Sequence, residues 1–448
     1  MKSLKLKKDI LNGNIAQQIL IFTIPVCGSY LLQQLYQFAD SIVLGRYAGV
    51  EAMAAVGGSA TMIINVVINF ITGIATGVTI IVAHNYGRGD SQKVSDSVRT
   101  GMFISIILGG LISIVGVVIS KSLLIFTNCP AETINLSLIY IRCYFASIIP
   151  YTIYVFGNNI LHAIGETKIS IVFTIIIAVV KIILDIVLTV IFNIGVWGVS
   201  ISTSASYLIC GIVVLIILYR TPESYHFDIR EFGFDKTILI KILKIGIPVA
   251  IQSAVFAITN VFVSVKINEF GTNTIAAFSS YNNVDNFYWS FTNAIGVAII
   301  TITGQNFGNK NNKRVKDTLK YGIIIHSIAS IVLGGLELLL GKYIFSIFTT
   351  NKEVINISFN MLKIVATTYL TYVLVEMISG SLKGMGDSVH SMIIAVIGIC
   401  VVRISYLMFF NITTPYQVIY CYPISWSITS IIYLIYYLIN KNRLTQNN

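Results

Sequence analysis

HNYGRGDSQKV at 84–94 and QNFGNKNNKRV at 305–315 are the same polar turn written twice, 221 residues apart. The spacing persists outward from this pair. ETINLS (132–137) returns as EVINIS (353–358), and LHAIGET (161–167) returns as LKGMGDS (382–388), both again 221 residues on. Ala54-Ala55 recurs as Ala276-Ala277 at a spacing of 222, and Ile24-Pro25-Val26 recurs as Ile247-Pro248-Val249 at 223. Apolar segments resemble one another through composition alone, but polar loops do not. A register kept through the loops identifies a tandem duplication.

The segments between these turns are apolar. Of 448 residues, 55% are hydrophobic and 11% charged, against about 25% charged in soluble domains. That is too little charge to cover a water-facing surface. Runs of about 20 apolar residues cross a hydrocarbon core of about 30 Å, and at that length they cross as helices. Each half offers six: 16–44, 52–83, 98–120, 135–160, 168–193 and 196–219, then 240–267, 274–304, 319–341, 355–380, 388–411 and 415–440. The expected fold is an all-α integral membrane protein of about twelve transmembrane helices. Its lobes span 1–219 and 240–448, joined by the polar stretch 220–239 as a cytoplasmic linker. Six helices is an even number, so the halves are parallel repeats related by a pseudo-two-fold axis along the membrane normal. On this topology 21 of the 30 Lys and Arg fall on the side of the termini, 5 on the other side, and 4 within spans. That asymmetry puts both termini in the cytoplasm of a cell (inner) membrane.

Several classes are excluded. The net charge of +11 sits in short loops between spans, which membrane topology explains and nucleic-acid binding does not. The opening MKSLKLKK and its apolar run resemble a signal peptide, but the same helix recurs in mid-chain. Six scattered cysteines form no CxxC pair, and His84, His162 and His326 do not cluster, so no zinc site is indicated. There is no Walker sequence, and HNYGRGD follows a membrane helix rather than a strand. No enzymatic motif and no cofactor are expected.

Ionisable residues within spans are costly and mark candidate sites. Asp40 lies late in the first helix, with Gln33, Gln34 and Gln37 forming a polar stripe expected to face an interior; Val263 is its counterpart in the second half. Lys181 and Asp185 are four apart on one helix face. They read either as a self-neutralising ion pair or as a proton site tuned by the lysine. The stretch SYNNVDNFYWSFTN (280–293) sets Asn282, Asp285, Tyr288 and Trp289 together, a mixture of acid and aromatics suited to an organic cation, or else to helix–helix hydrogen bonding. Glu376 lies near mid-span, Glu337 is a lesser candidate, and Arg403 could pair with Glu376 or Asp285, as a structural partner rather than a functional one.

Taken together, 24–57, 158–168 (NNILHAIGETK), 284–311 and 378–388 (ISGSLKGMGDS) resemble the multidrug and toxic compound extrusion (MATE) family over nearly the whole chain. The resemblance implies two six-helix lobes around a cavity and alternating access. It also implies export of small organic cations or amphiphiles against an inward flow of protons or sodium ions, by a monomer in the lipid bilayer. It places Asp40 at the family's helix-1 coupling acid, and Asp185 and Thr203 at an acid and a threonine of some prokaryotic members. Lys181 departs from the asparagine common there, and a fixed positive charge disfavours sodium. Phe256 and Tyr372 stand where another branch has acids, with Glu376 one turn beyond as a substitute. The alternative within the superfamily is a flippase for a lipid-linked saccharide, which would want a basic cavity.

Overall fold

A computed structural model describes residues 9–446. Among them ten helices are long and apolar enough to cross a membrane, and two bent pairs bring the spans to twelve. In chain order these are α1 (Ile15–Ala48), α2 (Glu51–Gly87), α3 (Ser91–Phe126), α4 (Ile134–Ala146 with Ile148–Ala163), α5 (Thr167–Ile191) and α6 (Val196–Arg220). The second half gives α7 (Lys236–Asn268), α8 (Thr272–Gly308), α9 (Asn312–Phe348), α10 (Lys352–Ala366 with Leu370–Gly384), α11 (Ser388–Phe409) and α12 (Pro415–Asn440). The expected spans are all present, generally lengthened at their ends. Ile114 and Val118 on α3 and Leu336 and Leu339 on α9 are exposed, as helices bathed in lipid require.

The duplicated turns fold alike. Asp90 caps α3 by accepting from the Lys93 amide at 3.1 Å, and Asn311 caps α9 by accepting from the Arg314 amide at 3.2 Å. These caps satisfy amides that have no partner within the helix. The residue before each cap is left-handed: Gly89 at φ +72° and Lys310 at φ +56°. The first half meets that geometry with glycine, while the second carries a side chain there at some cost.

The fourth helix of each half breaks at the same place by different chemistry. In α4 the bend is 51°. Pro150 lacks an amide hydrogen and crowds the carbonyl four residues back, at Ala146, the last residue of the first segment. In α10 the bend is 55° and no proline is present. Thr367 and Thr368 instead donate to the carbonyls of Lys363 (2.8 Å) and Ile364 (3.0 Å), back-bonding that bends helices.

The helices form two compact units. One is Gly28–Ala250; the other joins the chain up to Cys27 with Ile251 onward. These bounds differ from lobes cut at 219 and 240. Helix α1 passes from one unit to the other after Cys27 and α7 after Ala250, two or three residues beyond Pro25 and Pro248. The crossings are 223 residues apart, so the exchange itself is duplicated. In the Gly28–Ala250 unit, α2 and α7 meet through small residues. A Cβ on Gly73 would lie 2.3 Å from Ala250 Cα, and one on Gly77 2.6 Å from the Ile242 carbonyl oxygen. Such small-xxx-small contacts let backbones approach where no hydrophobic force drives helices together. In the other unit, Arg314 holds the chain before α1 by donating to the carbonyls of Ile10 (2.9 Å) and Gly13 (3.0 Å). The stretch 220–239 is packed rather than free: Phe232 and Phe234 lie against Phe103 of α3, and the Asp235 amide donates to Thr100.

Candidate functional site

Within the Gly28–Ala250 unit, the acids and the base of α1 and α5 converge. Lys181 Nζ is 3.1 Å from Asp40 Oδ2 and 3.5 Å from Asp185 Oδ2. It donates to Thr203 Oγ1 on α6 at 2.7 Å, and Thr203 in turn donates to the Val199 carbonyl. Ser202, beside it on α6, donates to Asp185 Oδ1. One turn of helix separates Lys181 from Asp185, which lets a single ammonium reach both carboxylates. A π-helical segment, Ile186–Ile191, begins directly after Asp185; such segments recur at functional positions. All four residues singled out for ion coupling therefore sit in one cluster, and Ser202 is a fifth member that sequence reasoning missed.

The cluster is neither fully buried nor fully satisfied. The side chains of Lys181 and Asp185 are 4% and 1% exposed, whereas Asp40, at 19%, is the most open of the three. Asp40 Oδ1 and Asp185 Oδ2 lack a hydrogen-bond donor. With both acids ionised the group carries one net negative charge, and one added proton brings it to zero. The glutamine stripe is less enclosed than expected: Gln33 and Gln34 are half-buried and Gln37 is exposed, while Tyr36 is the buried residue of that turn.

The second unit holds a cavity of about 400 Å³ lined by residues of α7, α8, α10, α11 and α12. Asp285, Asn282 and Trp289 reach it as expected, with Asn286 and Asn293. Asp285 is already occupied: it accepts from Trp289 Nε1 (2.7 Å) and from the Tyr369 hydroxyl (2.6 Å). Tyr369 also meets Glu337 at 2.8 Å.

Three expectations for this unit are corrected. Tyr288 does not line the cavity; its ring is fully buried and stacks on Tyr369 at 3.5 Å. Glu376 does not line it either, but packs against Gly296 and accepts from the Tyr372 hydroxyl at 3.2 Å. Arg403 pairs with neither Glu376 nor Asp285. It donates to Asn260 Oδ1 (2.9 Å) and Ser425 Oγ (3.4 Å) and lies over the Tyr422 ring at 4.5 Å. Asn260, Tyr422 and Trp426 went unnoticed, because nothing in their own helices marks which neighbour they face.

A family model described as MatE matches residues 25–187 and, a second time, 246–409. The chain belongs to the MatE family. The two matches start 221 residues apart and end 222 apart, so each half of this MatE chain is one copy of the family unit. The probable multidrug resistance protein YoeA of Bacillus subtilis is 25% identical over 85% of this chain and 83% of its own. The multidrug export protein MepA of Staphylococcus haemolyticus is 22% identical, with 86% and 84% covered. Among solved structures, the outward-facing conformation of a multidrug resistance MATE family transporter of the MOP superfamily superposes with a TM-score of 0.90 at 20% identity, covering 100% of this chain and 99% of that one. A MOP superfamily transporter from Pyrococcus furiosus gives 0.91 at 21% identity, with 100% and 99% covered. These likenesses establish the fold of a MatE protein.

Proposed function

We propose that this MatE protein is a secondary active antiporter that exports cationic or amphiphilic organic compounds by alternating access. Inward proton movement through the cluster of Asp40, Lys181, Asp185 and Thr203 drives it. The observation that carries this reading is the single ammonium shared by two carboxylates inside a membrane helix bundle. Ionisable groups at such depth mark ion pathways. One proton taken up at Asp40 or Asp185 changes the cluster from net negative to neutral, and a charge change in a low-dielectric site can bias two conformations. Lys181 also favours protons over sodium, since its ammonium fills the space between Asp40, Asp185 and Thr203 where a metal cation would otherwise sit. The multidrug resistance and export proteins among the relatives support a drug-like cargo. The chain acts as a carrier, not an enzyme, as a monomer in the inner membrane with cytoplasmic termini.

The test is accumulation of a fluorescent cationic dye in cells with the protein, without it, and with Asp40→Asn. Lower accumulation with the parent alone supports the reading. Equal accumulation in all three favours the flippase alternative.

A further inference from the structure

The two halves carry the same basic position and differ in what neutralises it. Lys181 donates to Thr203, 22 residues on, and Arg403 donates to Ser425, also 22 residues on. Lys181 and Arg403 are therefore counterparts at a spacing of 222, the spacing between the two MatE match ends. The repeated turn at 161–167 and 382–388 lies just upstream at 221. The π-helical turn Val396–Val401 in α11 falls between, and a π turn accommodates one extra residue. That insertion brings Arg403 into the register of Lys181.

The acids were not kept. Asp185 corresponds to Leu407, and Asp40 corresponds to Val263; both replacements are buried. Gln37 corresponds to Asn260, which holds Arg403 through a neutral oxygen. Arg403 is 4% exposed, and no carboxylate lies within ion-pair distance of it among the described residues. Its Nε is buried without an acceptor. A guanidinium has five N–H donors in a planar fork, and Asn260 and Ser425 take two. A buried charge without a counter-charge is costly, and this one opens on the cavity bounded by Trp289, Tyr372, Tyr422 and Trp426. Those rings meet edge-on or tilted: Trp289 and Trp426 centroids are 5.8 Å apart, and Tyr372 and Trp426 5.4 Å. Across the same cavity, Asp285 is committed to protein donors.

We propose that this cavity is a binding site for aromatic carboxylates, whose anionic group completes the ion pair on Arg403 while the ring packs against Trp289 and Trp426. A carboxylate matches the guanidinium fork with two parallel hydrogen bonds. The site names a substrate class for the exporter and in that sense rests on the transport reading: the second unit accepts acidic or zwitterionic amphiphiles, not cations alone.

The experiment is calorimetric titration of the purified full-length protein in detergent with 2-naphthoate, 2-naphthylmethanol and 2-naphthylmethylammonium. The parent should bind naphthoate at least tenfold more tightly than either analogue. Arg403→Gln should remove that preference. Asn260→Asp, which keeps an acceptor on the guanidinium but supplies an internal counter-charge, should also bring naphthoate to within about twofold of the alcohol. It decides the matter if Arg403→Gln does not fold. Failure of the parent to bind naphthoate, tighter binding of the ammonium probe, or an undiminished preference in the folded variants would overturn the proposal. Binding in detergent needs no gradient, so a negative result here leaves the transport reading standing. Loss of efflux in Asp40→Asn likewise leaves this site standing.

Discussion

Lys181 stands 3.1 Å from Asp40 although the two residues lie on different helices 141 positions apart in the chain. The contact ties α1 to α5 through charge, with Asp40 the more exposed partner. Under the proposed function, this is where the Gly28–Ala250 unit exchanges its proton.

Asp40→Asn and Asp185→Asn should each remove ion-driven efflux while leaving a folded protein. Either change fixes the side chain in a neutral form, so the cluster can no longer alternate between net negative and neutral. The check is dye efflux alongside a thermal midpoint in detergent. Parental efflux in folded Asp40→Asn would move the coupling role away from this cluster.

Much of this cluster was legible in the sequence. Lys181 and Asp185 are spaced by one helical turn, and the resemblance pointed to Asp40 and Thr203. Ser202 was not legible, because adjacent residues on a helix point about 100° apart and only packing shows that both hydroxyls of α6 face α5. Arg403 misled for a related reason. Its helix carries a π turn that shifts register by one residue, and sequence spacing does not reveal such a turn. Tyr288 sits between Asp285 and Trp289 in the chain, both of which line the cavity, and sequence spacing does not show that its own ring turns inward onto Tyr369. The duplication and the spans were legible because polar loops keep register and apolar runs have a length. The crossing at Cys27 and Ala250 was not, since it is a property of contacts rather than of composition.

Removing the base should cost more than removing the base and one acid together. Lys181→Ala strands two carboxylates, and breaking a buried ion pair costs about 3–5 kcal/mol. Adding Asp40→Asn should recover part of that loss. Thermal or denaturant unfolding of the two single variants and the double variant measures the coupling. Strictly additive losses would mean that Lys181 and Asp40 do not interact energetically.

The α2–α7 contact should be intolerant of bulk. Gly73→Val places its side chain against the backbone of Ala250, and overpacking of this kind costs about 1–3 kcal/mol. Gly110, with nothing within 4 Å of a built Cβ, is the control: Gly110→Ala should leave the thermal midpoint unchanged or raised, since alanine favours a helix interior by about 0.5–1 kcal/mol. Equal effects at both positions would contradict the close approach.

The Asp285 network should govern selectivity rather than coupling. Tyr369→Phe removes the donor shared by Asp285 and Glu337, and leaving buried acceptors unmet costs about 1–3 kcal/mol. Asp285→Asn and Trp289→Ala should reorder the preference among substrates while the response to a pH gradient persists. The measurement is efflux of several chemically distinct compounds by each variant. A uniform loss for all of them in folded protein would argue against a recognition role.

The most direct test of the central claim is dye efflux from proteoliposomes containing the purified protein, driven by an imposed pH gradient or by an imposed sodium gradient of equal size. One pH unit supplies about 1.4 kcal/mol per proton, enough for about a tenfold gradient of cargo at one proton each. The account predicts efflux under the pH gradient, none under the sodium gradient, and none with Asp40→Asn under either. Efflux driven by sodium alone, or unaltered in Asp40→Asn, would contradict it.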